Sequence, residues 1–218
     1  MPLFIESPAH PDVPPAPRPL APGAVVLPGF GTAVGEALLD TIASLAVQAP
    51  FRHMCTPGGR QMSVGMTNCG QWGWISDRQG YRYSALDPDS DRPWPELPAF
   101  FLALATTAAT AAGFTGFTPN ACLINRYAPG TQLSLHQDKD ERDFTAPIVS
   151  VSLGLSAMFL FGGTRRAAPA QRVPLAHGDV VVWGGPARLF HHGISPLAKG
   201  CHPLTGGLRF NLTFRRAG

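Results

Sequence analysis

Apolar residues recur at helical spacing in two stretches of this chain and in short strand-like runs elsewhere, above all toward its end. Between Thr32 and Gln48, Val34, Ala37, Leu38, Ile42, Leu45 and Ala46 fall three or four apart, the repeat of an amphipathic helix. Thr32 is placed to cap its start, with Glu36 in the first turn. A short strand, AVVLPGF (24–30), precedes it. A second helix is predicted over 95–112, with Pro95 in its first turn and Gly113 at its stop. After Gly113 the chain becomes strand-like to its end. ACLINRY (121–127), SLHQD (134–138), IVSVSLG (148–154), AMFLFGG (157–163), RVPLA (172–176), DVVVWGG (179–185), LFHHGI (189–194) and LRFNLTF (208–214) read as short strands between Gly- and Pro-bearing turns. Eight strands at this spacing predict a jelly roll or another two-sheet barrel.

Two regions break the pattern. Residues 7–22 carry seven prolines, so 1–23 is expected to be an extended arm with little regular structure. Residues 55–92 are rich in Gly, Thr, Asn and aromatics. They predict short hairpins that form a surface feature rather than core. The fold class is therefore mainly β with flanking helices (α+β), with one domain over 24–218 and its strand-rich core over about 114–216.

Composition narrows the setting. A chain of 218 residues, 44% hydrophobic, can bury a sizeable core. A net charge of +3 permits a polyanionic partner but requires any basic patch to be local. The four cysteines, Cys55, Cys69, Cys122 and Cys201, show no CxxC spacing, which argues against a zinc knuckle or redox dithiol. Reduced thiols and an N-terminus without signal-peptide character predict a cytoplasmic protein. No apolar run is long enough to span a membrane.

The chemistry starts at SLHQDKD (134–140). On a strand His136, Asp138 and Asp140 share a face. A further histidine from His191–His192 would complete two imidazoles and a carboxylate, the facial triad that leaves coordination positions open on iron(II). A lone His-x-Asp is weak, and zinc also accepts such ligands. In LRFNLTFR, Arg209, Asn211, Thr213 and Arg215 alternate with Phe210, Leu212 and Phe214. Two arginines on an inner face call for an anion, and a dicarboxylate matches guanidinium forks. An exposed edge strand with solvated arginines would carry the same pattern. Asn125 and Tyr127 share a face of NRY and offer an amide and a phenol to an acid's oxygens.

These motifs carry a family resemblance. HQD, a later histidine and the paired arginines look like the iron(II)- and 2-oxoglutarate-dependent dioxygenases. NACLINRYAPG, LSLHQDKDE, APIVSVSLGL, HGDVVVWGG and RFNLTFR resemble the AlkB-type DNA-alkylation repair members, as do PFR, TPGG, MTNCG and RQGY upstream. The resemblance runs from about residue 24 to the C-terminus. It implies a double-stranded β-helix with the 55–92 region as a nucleotide-recognition lid. It implies Fe(II) held by His136, Asp138 and His192, with 2-oxoglutarate and O2 as co-substrates. Because neighbouring strand residues face opposite ways, only one of His191 and His192 reaches the metal, and the family's His-Gly order selects His192. Asn125, Tyr127, Arg209, Asn211 and Arg215 are implied around 2-oxoglutarate, with Arg209 and Tyr127 at the distal carboxylate.

The implied reaction is oxidative removal of N-methyl groups from N1-methyladenine- and N3-methylcytosine-type bases in DNA, extending to RNA. It releases formaldehyde, succinate and CO2 as a direct-reversal repair. Such bases are cationic, so a nearby carboxylate, Asp140, favours them over ordinary bases, although Asp140 also reads as a solvated acid of the DKDER loop. Trp74, Tyr81 and Arg166 are implied at the substrate, with Trp72 a rival to Trp74 for the base. Arg78, Arg82, Arg165, Arg172 and Lys139 are further candidates for phosphates. A duplex base must be flipped out to reach such a site. Nothing in the sequence demands more than a monomer. Two other readings fit parts of it: the same chemistry on a protein or small molecule, and a non-catalytic nucleic-acid-binding jelly roll. The complete ligand set argues against the last, and the aromatic, basic lid against the first.

Overall fold

The structure, a computed structural model, describes residues 15–218. Its N-terminal half runs β1 (Arg18–Ala21), β2 (Ala24–Leu27), α1 (Gly35–Gln48), β3 (Gly65–Gly70), β4 (Gly73–Asp77), β5 (Gly80–Ser84), β6 (Leu86–Asp87), β7 (Arg92–Pro93) and α2 (Ala99–Ala111). The C-terminal half runs β8 (Ala121–Tyr127), β9 (Leu133–His136), β10 (Ile148–Gly154), β11 (Ala157–Phe161), β12 (Gln171–Leu175), β13 (Val180–Trp183), β14 (His192–Ile194) and β15 (Arg209–Arg215).

All eight strands predicted after Gly113 form, four in each of two sheets. The larger sheet has the order β1-β2-β13-β10-β15-β8-β3, and the smaller β12-β11-β14-β9. Every pairing is antiparallel. This is the double-stranded β-helix, or jelly roll.

The period-2 pattern explains the layering. On β15, Leu212 and Phe214 point outward into a core shared with Leu38 and Ile42 of α1 and Phe101 and Ala105 of α2. The inner faces of both sheets build a second core from Phe159, Phe161, Val173, Leu175 and Trp183. Because β15 pairs with β10 on one side and β8 on the other, it is central, and the edge-strand alternative for its arginines fails. The helices cover the larger sheet's outer face and leave the space between the sheets for the site.

Several expectations are corrected. Arg18–Ala21 of the Pro-rich arm is a strand paired with β2, because edge strands accept proline. The arm's residues 1–14 lie outside the described chain. Thr32 does not cap the helix: a 3-10 turn over Thr32–Val34 precedes α1, and the Thr32 hydroxyl donates to the His177 carbonyl. The second helix starts at Ala99, not Pro95, because Pro98 sits extended at its cap. Gly113, at φ 88°, ends it as expected.

Within 55–92 only part is surface. β3 is wholly buried as the edge neighbour of β8, whereas β4–β5 and β6–β7 are separate two-stranded ribbons. All four cysteines are free thiols. Among the described residues no helix is long and apolar enough to cross a membrane.

Candidate metal centre and its cavity

A cavity of about 610 Å³ opens between the sheets, and the predicted chemistry converges on it. His136 ends β9, and cross-strand pairing places it opposite His192 on β14, with ring centroids 4.5 Å apart. The expected strand stops there, so Asp138 comes from the loop that follows rather than from the same strand face. Its carboxylate lies 3.7 Å from His136 Nε2 and 3.7 Å from His192 Nε2. One ligand atom from each of the three falls within 4.8 Å of the others.

The protonation states suit a divalent cation. His136 Nδ1 contacts the Ser134 carbonyl at 2.8 Å, and His192 Nδ1 the Phe190 carbonyl at 3.1 Å. A carbonyl only accepts, so each Nδ1 carries a proton and each Nε2 is left facing Asp138, the position from which it could bind a metal. Burial pushes the His192 pKa down to about 3, which keeps that imidazole neutral. Burial alone would raise the Asp138 carboxyl, but Arg215, His192 and His136 together hold it well below the carboxylate range. His191, one residue away, is not among the three converging ligands and contacts the Gly163 carbonyl through Nδ1.

The anion chemistry lies along β15. Arg209 is 1% exposed, donates one bond to Ser152 Oγ at 3.1 Å, and has no partner for Nε or Nη1. Its guanidinium lies 4.8 Å from the ring centre of Tyr127, its cross-strand neighbour. Burial pushes the Tyr127 phenol up to about 12, so it stays a donor. Asn211 donates to Ser150 and to the Val151 carbonyl, while Asn125 donates to Asn211 and keeps an unpartnered carbonyl oxygen. A buried cation with free donors, facing a cavity with amide and phenol groups, fits one end of a dicarboxylate. Arg215 differs: its Nε and Nη2 both donate to Asp138 Oδ2, at 2.9 and 2.7 Å.

The β4–β5 ribbon closes one side. Trp74 stacks on Tyr81, with centroids 5.7 Å apart and planes 13° from parallel. Its indole donates to Asp140 Oδ2 at 2.8 Å, so Asp140 is not simply a solvated loop acid. The Asn68 side chain accepts from the Trp74 N–H and donates to its carbonyl, which fixes the residue to β3. Trp74, Tyr81, Asp140, Arg166 and Lys139 all line the cavity, whereas Trp72 does not. Arg82 is held by Asp77, and Arg78, Arg165 and Arg172 lie off the cavity wall.

Sequence reasoning missed a buried ionic cluster behind the metal centre. Glu141, in a loop that reads as solvated, accepts from the Tyr83 hydroxyl at 2.6 Å and from Arg188 Nη2 at 3.0 Å. Arg188 also donates to the Asp138 carbonyl at 2.8 Å. No periodicity marks these residues, since they meet across long sequence separations. Ser150 and Ser152 were findable, because they alternate with Val149, Val151 and Leu153 on β10.

Two imidazoles and a carboxylate, set in a jelly roll beside a buried unpaired arginine, define a metal- and 2-oxo-acid-dependent enzyme. The family model of the 2OG-Fe(II) oxygenase superfamily matches residues 23–215, and the chain belongs to that superfamily. It is a dioxygenase whose cofactor is Fe(II) and whose co-substrates are 2-oxoglutarate and O2. It is 62% identical over 200 residues to the alpha-ketoglutarate-dependent dioxygenase AlkB of Salmonella typhimurium, covering 92% of this chain and 93% of that protein. It is 60% identical over 207 residues to AlkB of Escherichia coli, covering 95% and 96%. The solved structure of OsALKBH1 superposes with a TM-score of 0.80 at 28% identity, covering 92% of this chain and all of that one.

Proposed function

We propose that this dioxygenase removes methyl groups from cationic N-alkylated bases, of the N1-methyladenine and N3-methylcytosine type, in DNA and also in RNA. Formaldehyde, succinate and CO2 leave, and the base is restored. The observation that carries the reading is the Trp74–Asp140 pair at the cavity mouth, where a flat aromatic face and a carboxylate stand together. A methylated base offers the matching flat face and positive charge, worth on the order of 0.5–2 kcal/mol through cation–π contact alone. Relatives named DNA N(6)-methyladenine demethylase in Arabidopsis thaliana and nucleic acid dioxygenase in Mus musculus support a nucleic-acid substrate.

Each residue then has a task. His136, Asp138 and His192 hold the iron, and bound iron with 2-oxoglutarate and O2 supplies the oxidation of the N-methyl carbon. Arg209 and Tyr127 take the distal carboxylate of 2-oxoglutarate, where Arg209 has donors free. Asn125 and Asn211 line its length. Arg215 stands near the end of 2-oxoglutarate that chelates the metal and steadies Asp138 through two hydrogen bonds. Trp74 and Tyr81 cover the base, Asp140 favours its charge, and Arg166 meets the phosphate backbone. Residues 24–218 act as one dioxygenase domain, with a jelly-roll core over about 114–216 and a lid within 55–92. The lid proper is the β4–β5 ribbon. The protein works as a monomer in the cytoplasm on single- or double-stranded nucleic acid.

The test is succinate and formaldehyde release from an N3-methylcytosine oligonucleotide after anaerobic loading with iron and 2-oxoglutarate. Release that depends on all components is expected. Turnover of 2-oxoglutarate that no methylated oligonucleotide stimulates would overturn the substrate assignment.

A further inference from the structure

A second cavity, of about 250 Å³, lies beside the first, and Tyr81 and Asp140 belong to the walls of both. Its other lining includes Trp72, Arg82 and Arg142. Trp72 stands in the turn between β3 and β4, half-buried, and contributes to neither hydrophobic core. Large aromatic side chains left on a cavity wall without a core role have a ready partner in another flat ring. Arg142 is exposed, and among the described residues no carboxylate lies within ion-pair distance of it. Arg82 is neutralised by Asp77, at 2.7 Å, so it offers a planar surface more than a free charge.

We propose that this second cavity is a subsite for the nucleotide next to the methylated base. The neighbouring base stacks on Trp72 while Arg142 takes a phosphate of the same strand. The inference rests on the demethylation reading and deepens it. Tyr81 and Asp140 form a wall common to both cavities, so a strand whose modified base turns inward past Trp74 can lay its adjacent nucleotide over that wall and against Trp72. An aromatic platform beside an uncompensated arginine is the combination that binds single strands without reading sequence. The subsite therefore adds affinity for a strand over a free nucleoside, and does so for any neighbouring base.

The experiment measures binding by fluorescence anisotropy, without oxygen, to the full chain loaded with iron and 2-oxoglutarate. Three short single strands carry a central N3-methylcytosine: one intact, one abasic on its 5′ side, one abasic on its 3′ side. Trp72→Ala is expected to weaken binding of the intact strand roughly tenfold. It should leave binding of one abasic strand at the wild-type level, because the partner ring is then already missing. Trp72→Phe should keep most of the affinity. Arg142→Ala should weaken all three strands alike and make the salt dependence of log K shallower by about 0.7, one phosphate contact on a single strand. Melting temperatures check folding, and if Trp72→Ala melts early, Trp72→Leu takes its place with the same expectation. Wild-type binding of the intact strand by the variant overturns the subsite, and so does an equal loss on all three strands. Aerobic formaldehyde release by the wild type is read separately. Its absence would sink the demethylation reading while the anisotropy still judges the subsite.

Discussion

Arg209 shows how one residue can be legible in a sequence and still need a structure to explain it. Its alternation with Phe210 marks an inner face, but its two unpartnered donors appear only once Ser152 and Tyr127 are placed around it. Arg209→Ala is expected to lower 2-oxoglutarate affinity by about 2–5 kcal/mol, the scale of removing one partner of a buried charge pair. Isothermal titration checks this, and iron retention should persist because the three metal ligands keep their own contacts. Loss of iron with 2-oxoglutarate affinity intact would reverse the assignment. Asp140 invites a sharper substitution. Because its carboxylate accepts the Trp74 indole bond, Asp140→Ala would disturb the ring as well as the charge. Asp140→Asn keeps an acceptor for the indole and removes only the charge. It is expected to slow repair of cationic N3-methylcytosine more than of neutral N3-methylthymine, whereas Trp74→Ala should slow both. Equal losses for Asp140→Asn on the two lesions would leave that carboxylate without a part in sensing charge.

The element that joins His136 and His192 is the β9–β14 pair, and its weak point is Gly193. A Cβ at this position would sit 2.6 Å from the Leu133 carbonyl oxygen and 3.1 Å from the Ser134 carbonyl carbon, both backbone atoms of β9. The pairing is already irregular between His192 and Ile194. Gly193→Ala must therefore push β14 from β9, moving His192 away from His136. A loss of about 1–3 kcal/mol in stability is expected from the overpacking, together with weaker iron binding in equilibrium dialysis. Unchanged metal affinity would show that the two strands tolerate separation. The elements also show what a single sequence reveals. β8 and β10 take the predicted bounds because no glycine or proline interrupts either before its last residue. β3 reads as surface because GMTNCG has no apolar run, yet it is buried beside β8 with Thr67 bonded to the Ala49 carbonyl. The start of α2 was misplaced because Pro95 and Pro98 both suit a helix beginning, and only the backbone chooses. His136 and Asp138 stood out by residue type and His192 through the family's His-Gly order, while the cluster of Tyr83, Glu141, Arg188 and Arg215 behind them did not. Those four meet only through the tertiary fold.

At the scale of the whole molecule, the two cores divide stability from function across one strand. The outer face of β15 packs Leu212 and Phe214 against the helices, and both are fully buried. Its inner face carries Arg209, a charge held in a low-dielectric space with part of its hydrogen-bonding capacity unmet. The first arrangement stabilises the fold, and the second weakens it until an anion arrives. Leu212→Ala should therefore cost about 2–5 kcal/mol through the cavity it leaves. Arg209→Met should do the opposite in the ligand-free protein. Replacing a buried ionic group by an apolar one of similar length is often stabilising by about 1–4 kcal/mol. For a domain of this size each kcal/mol corresponds to roughly 2–4 °C in melting temperature. Adding 2-oxoglutarate should raise the wild-type melting temperature, since a ligand that binds only the folded state stabilises it by mass action. The same addition should leave Arg209→Met unmoved. The two variants thus shift in opposite directions without ligand, and only Leu212→Ala retains the ligand-induced rise. An Arg209→Met protein that melts below the wild type in the absence of 2-oxoglutarate would show that the guanidinium contributes to the fold through Tyr127 and Ser152. The strain that the site is argued to store would then not exist.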